Sequence, residues 1–369
     1  MTEINQIMPA LVYGDAIGNH AYELWRLLKS WGIQSTIYAN YIDIRYAQAA
    51  RPYAELKGNA RNTLIYHYSI GSKITDYVLG LPDRVIPYYH NITPAAFFEG
   101  VNGPLARELA EGREQLKRLA HYPYALAASE YNRLELLQVG FRNVDVVTYL
   151  VDFGRLDRGA KTDAATQLKK RFDSKGHKLL FVGRIAPNKC QHDLIHLIHY
   201  YRTFIDPEAE LLLVGSNNHA GAYQLRLETL VNRYDLRDAV HFVGPVGTDD
   251  GLGAFYQLAD AFVCMSEHEG FCVPIIEAMH FGLPVFAYDA TGVPYTMGNS
   301  GVRFAEKRLD VVAEMIQKVL GDEQLRSDLV SQERKMLVHY QATIVADRFK
   351  TFLLEGNAQH FQRKTEEME

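Results

Sequence analysis

Two glutamates stand eight positions apart in the stretch SEHEGFCVPIIEAMHFGLPV, residues 266–285, around a short apolar segment that predicts a helix. Pro274 suits the first position of that helix, and Glu277 falls in its first turn. The residues before Pro274 are poor N-caps: Phe271, Cys272 and Val273. The first amide groups of the helix therefore need an outside acceptor, and the helix dipole favours an anion there. The stretch predicts that a phosphate group of a ligand binds at this helix end.

The two carboxylates flank the predicted phosphate site. Glu277 is placed to accept hydrogen bonds from the hydroxyls of a ribose or a sugar. Glu269 is placed to reach polyol hydroxyls on the other side of the phosphates, and Gly270 beside it allows the backbone to approach a ligand closely. The alternative is that Glu277 only complements the helix dipole and that Glu269 is an ordinary loop carboxylate.

Two cations lie five positions apart in the stretch LLFVGRIAPNKCQHDLI. A predicted strand ends at Gly183, Arg184 and Lys189 follow in a loop that contains a proline, and a helix is predicted to begin near Gln191. Such a pair at the mouth of a parallel strand suits a diphosphate, since each charge-assisted hydrogen bond contributes roughly 1.5–3 kcal/mol. The alternative is an arginine and a lysine that merely lie on the surface near a loop.

The first half of the chain carries glycines and histidines at predicted strand ends. Gly14 and Gly18 lie in a predicted strand–turn–helix, LVYGDAIGNHAYELWRLLKSWG, which lacks the third glycine of a dinucleotide fingerprint. A simple tight turn is the alternative interpretation. His90 follows one predicted strand, and His67 and Ser69 follow its neighbour. These strands are rich in tyrosine, of which some must belong to the core because alternate residues face opposite sides: Tyr66, Tyr68, Tyr88 and Tyr89.

Short apolar runs followed by helical patterns recur through both halves and predict the elements that position these residues. The predicted strands span 4–14, 35–40, 63–70, 84–92, 124–129, 144–151, 178–184, 210–216, 240–246, 261–267, 284–290 and 301–306. Strands that are apolar throughout and alternate with helices are typical of parallel sheets covered on both faces. We therefore predict an α/β fold of two doubly wound, Rossmann-like domains that face each other across a cleft, with ligands at the carboxyl ends of the strands. The domains are predicted at 1–158 and 159–342, and a helix at about 343–369 could pack back on the first.

The stretches GRIAPNKCQHDLI and SEHEGFCVPIIEAMHFGLPV together resemble glycosyltransferase family four, retaining nucleotide-sugar transferases of GT-B fold. Glu269 and Glu277 match the E-x7-E pattern of that family, and Arg184 and Lys189 match its diphosphate-binding pair. LLLVGS, VHFVGPV and LADAFVCMSEHEG fall between them in the family's order, so the resemblance covers the whole second half. In TGVPYTMGNSGVRF this chain has Tyr295 where an acidic residue is common in the family.

The resemblance implies a UDP- or GDP-sugar donor on the second domain, with Glu277 at the ribose and Glu269 at the sugar. It also implies that the first-half glycine loop lies over the donor diphosphate and that His90 contacts the transferred sugar near the reacting carbon. The predicted donor-binding residues are Gly14, Gly18, Arg184, Lys189, Gly270, Phe271, Cys272, Val273 and Glu277. The predicted acceptor-binding residues are Asn19, His67, Ser69, Tyr89 and Asn91.

The family transfers a hexosyl unit to an acceptor hydroxyl with retention of anomeric configuration, through an oxocarbenium-like state. No Asp-x-Asp stands at a predicted strand end, so we expect neither a metal nor a cofactor. Cations and the helix end would neutralise the leaving diphosphate instead. The predicted catalytic residues are His90, Arg184, Lys189 and Glu269.

Composition and local sequence patterns restrict the class of partner and the cellular compartment that we expect. The formal net charge of −5 argues against a nucleic-acid partner. The first residues, MTEINQIMPA, lack the pattern of a signal peptide, and no run of about 18 apolar residues is present to span a bilayer. Three cysteines are too few and too scattered for a disulfide framework or a zinc cluster, so we expect buried thiols in a reducing cytoplasm.

Two other functions and one further contact stay open. The chain could be a non-catalytic partner subunit that binds a nucleotide-sugar, or a phosphorylase of related fold, although no convincing Schiff-base lysine is present. Family membership points to synthesis of a surface polysaccharide or glycolipid. The predicted helix GPLARELAEGREQLKRLAH has a partly basic polar side, for which a solvated surface and peripheral contact with the inner face of a membrane are the alternatives. The oligomeric state is not determined by the sequence.

Overall fold

A computed structural model describes residues 3–355 except residues 173 and 219. The described chain forms two parallel β-sheets flanked by helices, so the predicted α/β fold is confirmed. Most strand residues are buried, as sheets covered on both faces require. The outer part of the predicted C-terminal helix, residues 356–369, lies outside the described residues.

The first sheet has seven strands in the order β3-β2-β1-β4-β5-β6-β7. The strands are β1 Ile4–Leu11, β2 Ile37–Ile42, β3 Ala50–Pro52, β4 Thr63–Tyr68, β5 Arg84–Tyr89, β6 Ala125–Ala127 and β7 Val144–Val146. Strand β1 pairs with β2 on one side and with β4 on the other, so the strand order reverses there. Strand β3 was not predicted, because it is an edge strand of three residues that pairs only with β2 and carries no apolar run.

The second sheet has six strands in the order β10-β9-β8-β11-β12-β13. The strands are β8 Lys178–Val182, β9 Glu210–Val214, β10 Val240–Gly244, β11 Ala261–Cys264, β12 Val285–Tyr288 and β13 Val302–Phe304. Strand β8 pairs with β9 and with β11, so this order also reverses at its first strand. Ligands of open parallel sheets bind outside the carboxyl ends at such reversals.

Helices connect the strands and close both faces of each sheet. Those of the first domain and the connection are α1 Ala16–Ser30, α2 Lys73–Leu79, α3 Gly103–Leu119, α4 Glu130–Val139, α5 Phe153–Gly159 and α6 Asp163–Arg171. Those that follow are α7 Gln191–Phe204, α8 Ala222–Arg233, α9 Leu252–Leu258, α10 Val273–His280, α11 Val293–Met297, α12 Leu309–Gly321, α13 Glu323–Leu337 and α14 Ala342–Lys350. A π-helical turn follows at Thr351–Glu355.

The last described helix returns to the first domain. Val345 and Phe349 of α14 are fully buried in an apolar cluster with Leu24, Leu28 and other residues of the first sheet and its helices. The ring of Phe349 lies 5.8 Å from that of His20, in a stacked orientation. The C-terminal segment therefore joins the two domains through the core of the first.

The basic side of α3 is largely engaged within the protein. Arg113 pairs with Glu135 at 2.8 Å, and Arg118 pairs with Asp76 at 2.7 Å. These contacts favour the solvated-surface interpretation of this helix and leave membrane contact untested. Among the described residues, no helix is both long enough and apolar enough to cross a membrane.

Candidate functional site

A cleft of about 710 Å³ lies between the two sheets, at the carboxyl ends of their strands. The first domain contributes the loop after β1 and the residues after β4 and β5. The second domain contributes the loop after β8 and the segment from His268 to Glu277. The reversal points of both sheets therefore open into one cavity, in which a ligand can contact both domains.

Helix α10 enters this cavity with its amino end. It begins at Val273, with Pro274 in its first turn, and no side chain of the described residues caps it. Cys272 precedes it in the left-handed conformation, with a φ of 73°. Both Cys272 and Val273 line the cleft. An uncapped helix end that faces a cavity is suited to an anionic ligand.

Glu277 is the fifth residue of α10, so it begins the second turn and does not lie in the first turn as predicted. Its carboxylate still lines the cleft and accepts a 2.6 Å hydrogen bond from the hydroxyl of Tyr256 on α9. Burial raises the pKa of Glu277 to about 7, although the Tyr256 hydroxyl acts in the opposite direction. The sequence patterns did not single out Tyr256, because only the fold brings α9 beside α10.

Glu269 and Lys189 form an ion pair in the cleft wall. The Nζ atom of Lys189 lies 2.5 Å from Oε2 of Glu269, and both side chains are largely buried. Burial disfavours the charge of Lys189, but the neighbouring Glu269 outweighs it and raises the pKa of the lysine. Lys189, predicted to bind the diphosphate, and Glu269, predicted to bind the sugar, thus contact each other directly in the folded chain.

Asn188 holds the two loops of this ion pair together. Its buried side chain donates a 3.0 Å hydrogen bond to the carbonyl of His268, and its own carbonyl accepts one of 2.9 Å from the amide of Glu267. The geometry of Lys189 and Glu269 is therefore fixed by backbone contacts on both sides. Sequence reasoning missed Asn188, since an asparagine in a loop gives no signal of its long-range partner.

Arg184 is exposed and lines the cleft directly after β8. Its backbone carbonyl accepts a hydrogen bond of 2.9 Å from the side chain of Gln191 at the start of α7. Within the described part of the chain, no ion pair or hydrogen bond occupies its guanidinium group. The residue is consequently free to bind an anion in the cavity.

His90 belongs to a buried cluster of histidines. Its Nε2 lies 2.9 Å from Nδ1 of His67, and its Nδ1 lies 3.0 Å from the hydroxyl of Tyr149. His67 in turn contacts Oε1 of Gln6 at 2.8 Å, and His20 packs edge-on against both rings. Both ring nitrogens of His90 therefore already have partners, although the side chain borders the cleft.

Burial keeps the cluster uncharged. It lowers the pKa of His67 to about 3, and it lowers the pKa values of His20 and His90 far below the ordinary value, with neighbouring histidines adding to the effect. Nε2 of His20 has no hydrogen-bond partner among the described residues. The predicted contact between His90 and a sugar would thus involve a neutral imidazole.

The predicted acceptor residues divide between the cleft and the core. Asn19, Ser69 and Asn91 line the cleft, as does His67. Tyr89 does not: its side chain is fully buried in the core beneath β5, and its hydroxyl donates to Glu135 at 3.1 Å. The prediction that Tyr89 contacts an acceptor is therefore corrected, because its side chain points to the opposite face of the sheet from His90.

Asn91 makes a bridge between the domains. Its Oδ1 accepts a hydrogen bond of 2.6 Å from Nε2 of His268, and its Nδ2 donates one of 2.8 Å to Asn132. Both polar atoms of its side chain are thus used inside the protein. Ser129 caps α4 and also donates to the carbonyl of Gly270 at 2.5 Å.

The glycines of the site have different physical roles. Gly14 lines the cleft with a φ of +80°. Gly18 instead lies buried in α1, where a Cβ would come within 2.4 Å of the carbonyl oxygen of Val12, so its predicted donor contact is replaced by a packing role. At Gly270 a Cβ would lie 2.6 Å from that of Asn91. The close approach that requires this glycine is therefore to the opposite domain.

A second set of contacts closes the rim of the cleft. Tyr13, after β1, donates a 3.0 Å hydrogen bond to Asp249 in the loop after β10. The guanidinium of Arg155 on α5 also binds Asp249, with one bond of 2.6 Å. Arg45 lies 3.6 Å above the ring of Tyr13. We call Tyr13, Arg45, Arg155 and Asp249 the rim latch.

Two thiols lie beside the ion pair. Cys264 ends β11, Cys272 precedes α10, and both are free and buried, as predicted. The contact between them lowers the pKa of Cys264, and it raises that of Cys272. The sequence placed these cysteines eight positions apart but did not predict that they meet.

Comparison with known proteins agrees with this architecture. Residues 164–336, which carry the ion pair, Arg184 and α10, match the family model described as "Glycosyl transferases group 1". In structure, the chain is similar to a sucrose-phosphate synthase from Thermosynechococcus elongatus, with a TM-score of 0.75 and 18% identity over 97% of this chain and 100% of that one. The fold is GT-B.

A second solved structure and two curated relatives extend the comparison. Anabaena Alr3699/HepE in complex with UDP-glucose is similar, with a TM-score of 0.73 and 16% identity, over 94% of this chain and 99% of that one. The serotype-specific mannosyltransferase WbdA of Escherichia coli is 27% identical over 58% of this chain and 26% of its own length. A GDP-mannose-dependent alpha-(1-6)-phosphatidylinositol monomannoside mannosyltransferase of Mycobacterium tuberculosis is 27% identical over 58% of this chain and 55% of its own length. The matched segment thus spans about a quarter to a half of these relatives.

Proposed function

We propose that this protein is a glycosyltransferase that moves a hexosyl unit from a nucleotide diphospho-sugar to a hydroxyl of a saccharide or glycolipid acceptor. The observation that carries the proposal is the uncapped end of α10 beside the free guanidinium of Arg184 in an interdomain cleft. Two adjacent phosphates supply the negative charge and the acceptor atoms that both groups lack. The match of this half of the chain to glycosyl transferases group 1 supports the same conclusion.

The donor is held along the second domain. Arg184 and the amide of Val273 bind the diphosphate, and Glu277, held by Tyr256, accepts hydrogen bonds from the ribose. Glu269 accepts them from the sugar, while Lys189 holds its carboxylate in place and adds positive charge near the leaving group. Glu277, Glu269 and Lys189 are already positioned by their partners, so little reorganisation of these three accompanies binding.

The reaction proceeds with retention of the anomeric configuration and without a metal. The acceptor hydroxyl forms a bond to the anomeric carbon on the face from which the diphosphate departs, as the bond from that carbon to the phosphate oxygen breaks. The proton of the acceptor hydroxyl passes to the departing phosphate oxygen. Arg184 and the helix end stabilise the charge that develops on the diphosphate. The carbonyl and ring of His90 border the sugar from the first domain.

The relatives direct the choice of donor and acceptor. One of them is named as dependent on GDP-mannose, and one similar structure holds UDP-glucose. GDP-mannose and UDP-glucose are therefore the first two donors to test. We further propose an acceptor of the surface polysaccharide or glycolipid class, used on the cytoplasmic side of a membrane.

Thermal unfolding in the presence of nucleotide-sugars tests the donor site. A ligand that binds only the folded state raises stability by RT ln(1 + [L]/Kd), so ligand at 100 times its Kd adds about 2.7 kcal/mol. We expect a shift with GDP-mannose or UDP-glucose that persists in EDTA and disappears in Arg184→Ala. The matched control is Arg61→Ala. Arg61 is an exposed arginine just before the amino end of β4, whereas the cleft lies at the carboxyl ends of the strands. No shift with either donor, or an equal shift with NAD, would contradict the proposal.

A functional measurement separates an enzyme from a non-catalytic subunit. Protein that binds the donor should release nucleoside diphosphate when a saccharide acceptor is added. Tight donor binding with no turnover across an acceptor panel would identify a binding subunit instead.

A further inference from the structure

Three side chains of the kinds that bind metal ions lie close together at the ion pair of Lys189 and Glu269. Cys264 at the end of β11, Glu269 in the following loop and Cys272 before α10 each offer one sulfur or oxygen atom, and these atoms lie within 4.8 Å of one another. All three residues are buried, and Glu269 and Cys272 also line the cleft. The fold thus brings together two cysteines that the sequence suggested were too scattered to share a metal.

We propose that Cys264, Glu269 and Cys272 form a binding site for a thiophilic divalent metal ion of the Zn²⁺ class. Thiolate sulfur and carboxylate oxygen are ordinary ligands of such ions. Zn–S bonds of about 2.3 Å and Zn–O bonds of about 2.1 Å in a tetrahedron place ligand atoms roughly 3.5–3.8 Å apart. Side-chain shifts of about 1 Å therefore suffice to close the site. The cleft supplies the entry path and the solvent that completes the coordination.

The surrounding charge suits a bound dication. Binding replaces the two thiol protons, which are released, so the ligands contribute two thiolates and one carboxylate. Lys189, whose Nζ lies 2.5 Å from Oε2 of Glu269, adds one positive charge. A divalent ion, three anionic ligands and this lysine together sum to zero, so the buried site does not retain a net charge.

A metal ion at this site competes with the ion pair of Lys189 and Glu269. Lys189 and the ion use the same carboxylate, so metal binding weakens the contact between Lys189 and Glu269. This consequence rests on the proposed function, in which both residues serve the donor. The ion is therefore an inhibitor of sugar transfer, and a bound donor slows its entry through the cleft.

A second group of ligand atoms, Cys190, His192 and Asp193, provides the contrast. Nζ of Lys307 already occupies the Asp193 carboxylate at 2.8 Å, and Nδ1 of His192 contacts the hydroxyl of Tyr223 at 2.9 Å. The differences from the proposed site are that this group offers only one thiol and that Lys307 is held by two carboxylates, Asp193 and Glu267. Cys190 is thus a matched control thiol for the proposed site.

The test is a titration of the full chain with Cd²⁺, after chelator treatment, followed by sulfur-to-metal charge-transfer absorbance. We expect one equivalent to bind, with the absorbance of two thiolates. That absorbance should fall by about half in Cys264→Ser and in Cys272→Ser and stay unchanged in Cys190→Ser. Absence of the band in the unaltered chain, or its loss in Cys190→Ser, would overturn the site.

Two further measurements keep the test decisive. ¹¹³Cd resonance from the unaltered chain reports the number of sulfur ligands without any substitution, and a shift outside the range of two-sulfur sites would also overturn the proposal. In turnover assays, Zn²⁺ should inhibit the unaltered chain and Cys190→Ser but not Cys264→Ser. Metal binding that leaves turnover intact would contradict the competition with Lys189, whereas a chain that binds Cd²⁺ as expected but never transfers sugar would contradict only the proposed function.

Discussion

Each charged residue of the cleft is set by a specific neighbour. Glu269 has Lys189 at 2.5 Å, Glu277 has Tyr256 at 2.6 Å, and Arg184 has no side-chain partner in the described chain. The first two carboxylates are therefore held in place before a ligand arrives, and the guanidinium is available to an incoming anion. Such preorganisation is what electrostatic catalysis requires.

The titration of Glu277 makes donor binding depend on pH. Since the pKa of Glu277 is raised to about 7, the carboxylate that we propose accepts hydrogen bonds from ribose hydroxyls becomes fully populated only above that pH. We expect the Kd of a nucleotide-sugar to fall as the pH rises from 6 to 8. Isothermal titration calorimetry checks this, with a sugar-linked diphosphate chosen because it has no secondary phosphate ionisation in this range.

Two variants test whether Glu277 is the group that titrates. Glu277→Gln should bind more weakly at pH 8 and lose the pH dependence, whereas Tyr256→Phe, which removes a hydrogen bond that lowers the pKa of Glu277, should move the transition to higher pH. An unaltered pH profile in Glu277→Gln would show that another group titrates.

At the scale of elements, predictions followed the local patterns closely. Each predicted strand overlaps an observed one, although β2 extends two residues beyond the predicted span 35–40, and α7 begins at Gln191 as expected. Apolar runs and turn residues in the sequence mark these elements. The edge strand β3 has no such run. Tyr89 and Gly18 were predicted to contact ligands, but both pack in the core. For Tyr89, the alternation of side chains along a strand decides whether the residue faces the cleft or the core. For Gly18, the close approach of the Val12 carbonyl explains the glycine without a ligand.

The histidine cluster ties strands β1, β4 and β5 to α1 and makes the first domain sensitive to acid. A folded pKa of about 3 for His67, below the unfolded value of about 6.5, means that the unfolded chain binds more protons between these values. Stability is then fully present above about pH 6.5 and is lost as the pH falls towards 3. For His67 this loss is about 2 kcal/mol between pH 7 and 5, and the lowered pKa values of His20 and His90 act in the same direction.

Denaturant unfolding at several pH values measures this effect. His90→Gln should reduce the number of protons taken up on unfolding near pH 5. His339→Gln, which alters an exposed histidine outside the cluster, serves as the control and should leave the slope unchanged. If the unfolding free energy depends on pH equally in the unaltered protein and in both variants, the histidine cluster is not the cause of the acid sensitivity.

At the scale of the whole molecule, contacts across the cleft were not predictable from local patterns. Asn91 with His268, Ser129 with Gly270, and Tyr13 with Asp249 in the rim latch join residues more than 100 positions apart. The sequence indicated two domains and a cleft but not which residues would bridge it, because such bridges depend on the relative placement of two independently patterned sheets. The return of α14 to the first domain adds a further link.

Breaking the rim latch should loosen the cleft. Asp249→Asn removes the charge that Arg155 and Tyr13 share, and an exposed pair of this kind contributes up to about 1 kcal/mol. That corresponds to a shift of up to about fivefold between closed and open arrangements. Small-angle X-ray scattering should show a larger radius of gyration, and donor affinity should fall by a similar factor.

The control for the latch is Asp238→Asn, which breaks an exposed pair with Arg202 in the second domain, away from the cleft. It should leave both scattering and affinity unchanged. Scattering curves of Asp249→Asn that superimpose on those of the unaltered protein, with equal donor affinity, would mean that the latch does not hold the domains.

The most direct measurement is the rate of sugar transfer from GDP-mannose and UDP-glucose in Arg184→Ala compared with Arg61→Ala. Arg184 is exposed, lines the cleft and has no structural partner in the described chain, so its loss should leave the fold intact. We predict a loss of turnover of about 100- to 1,000-fold in Arg184→Ala, because one group that stabilises the leaving diphosphate is removed, and no loss in Arg61→Ala. Turnover that is equal in the two variants would contradict the assignment of this cleft as the site of transfer.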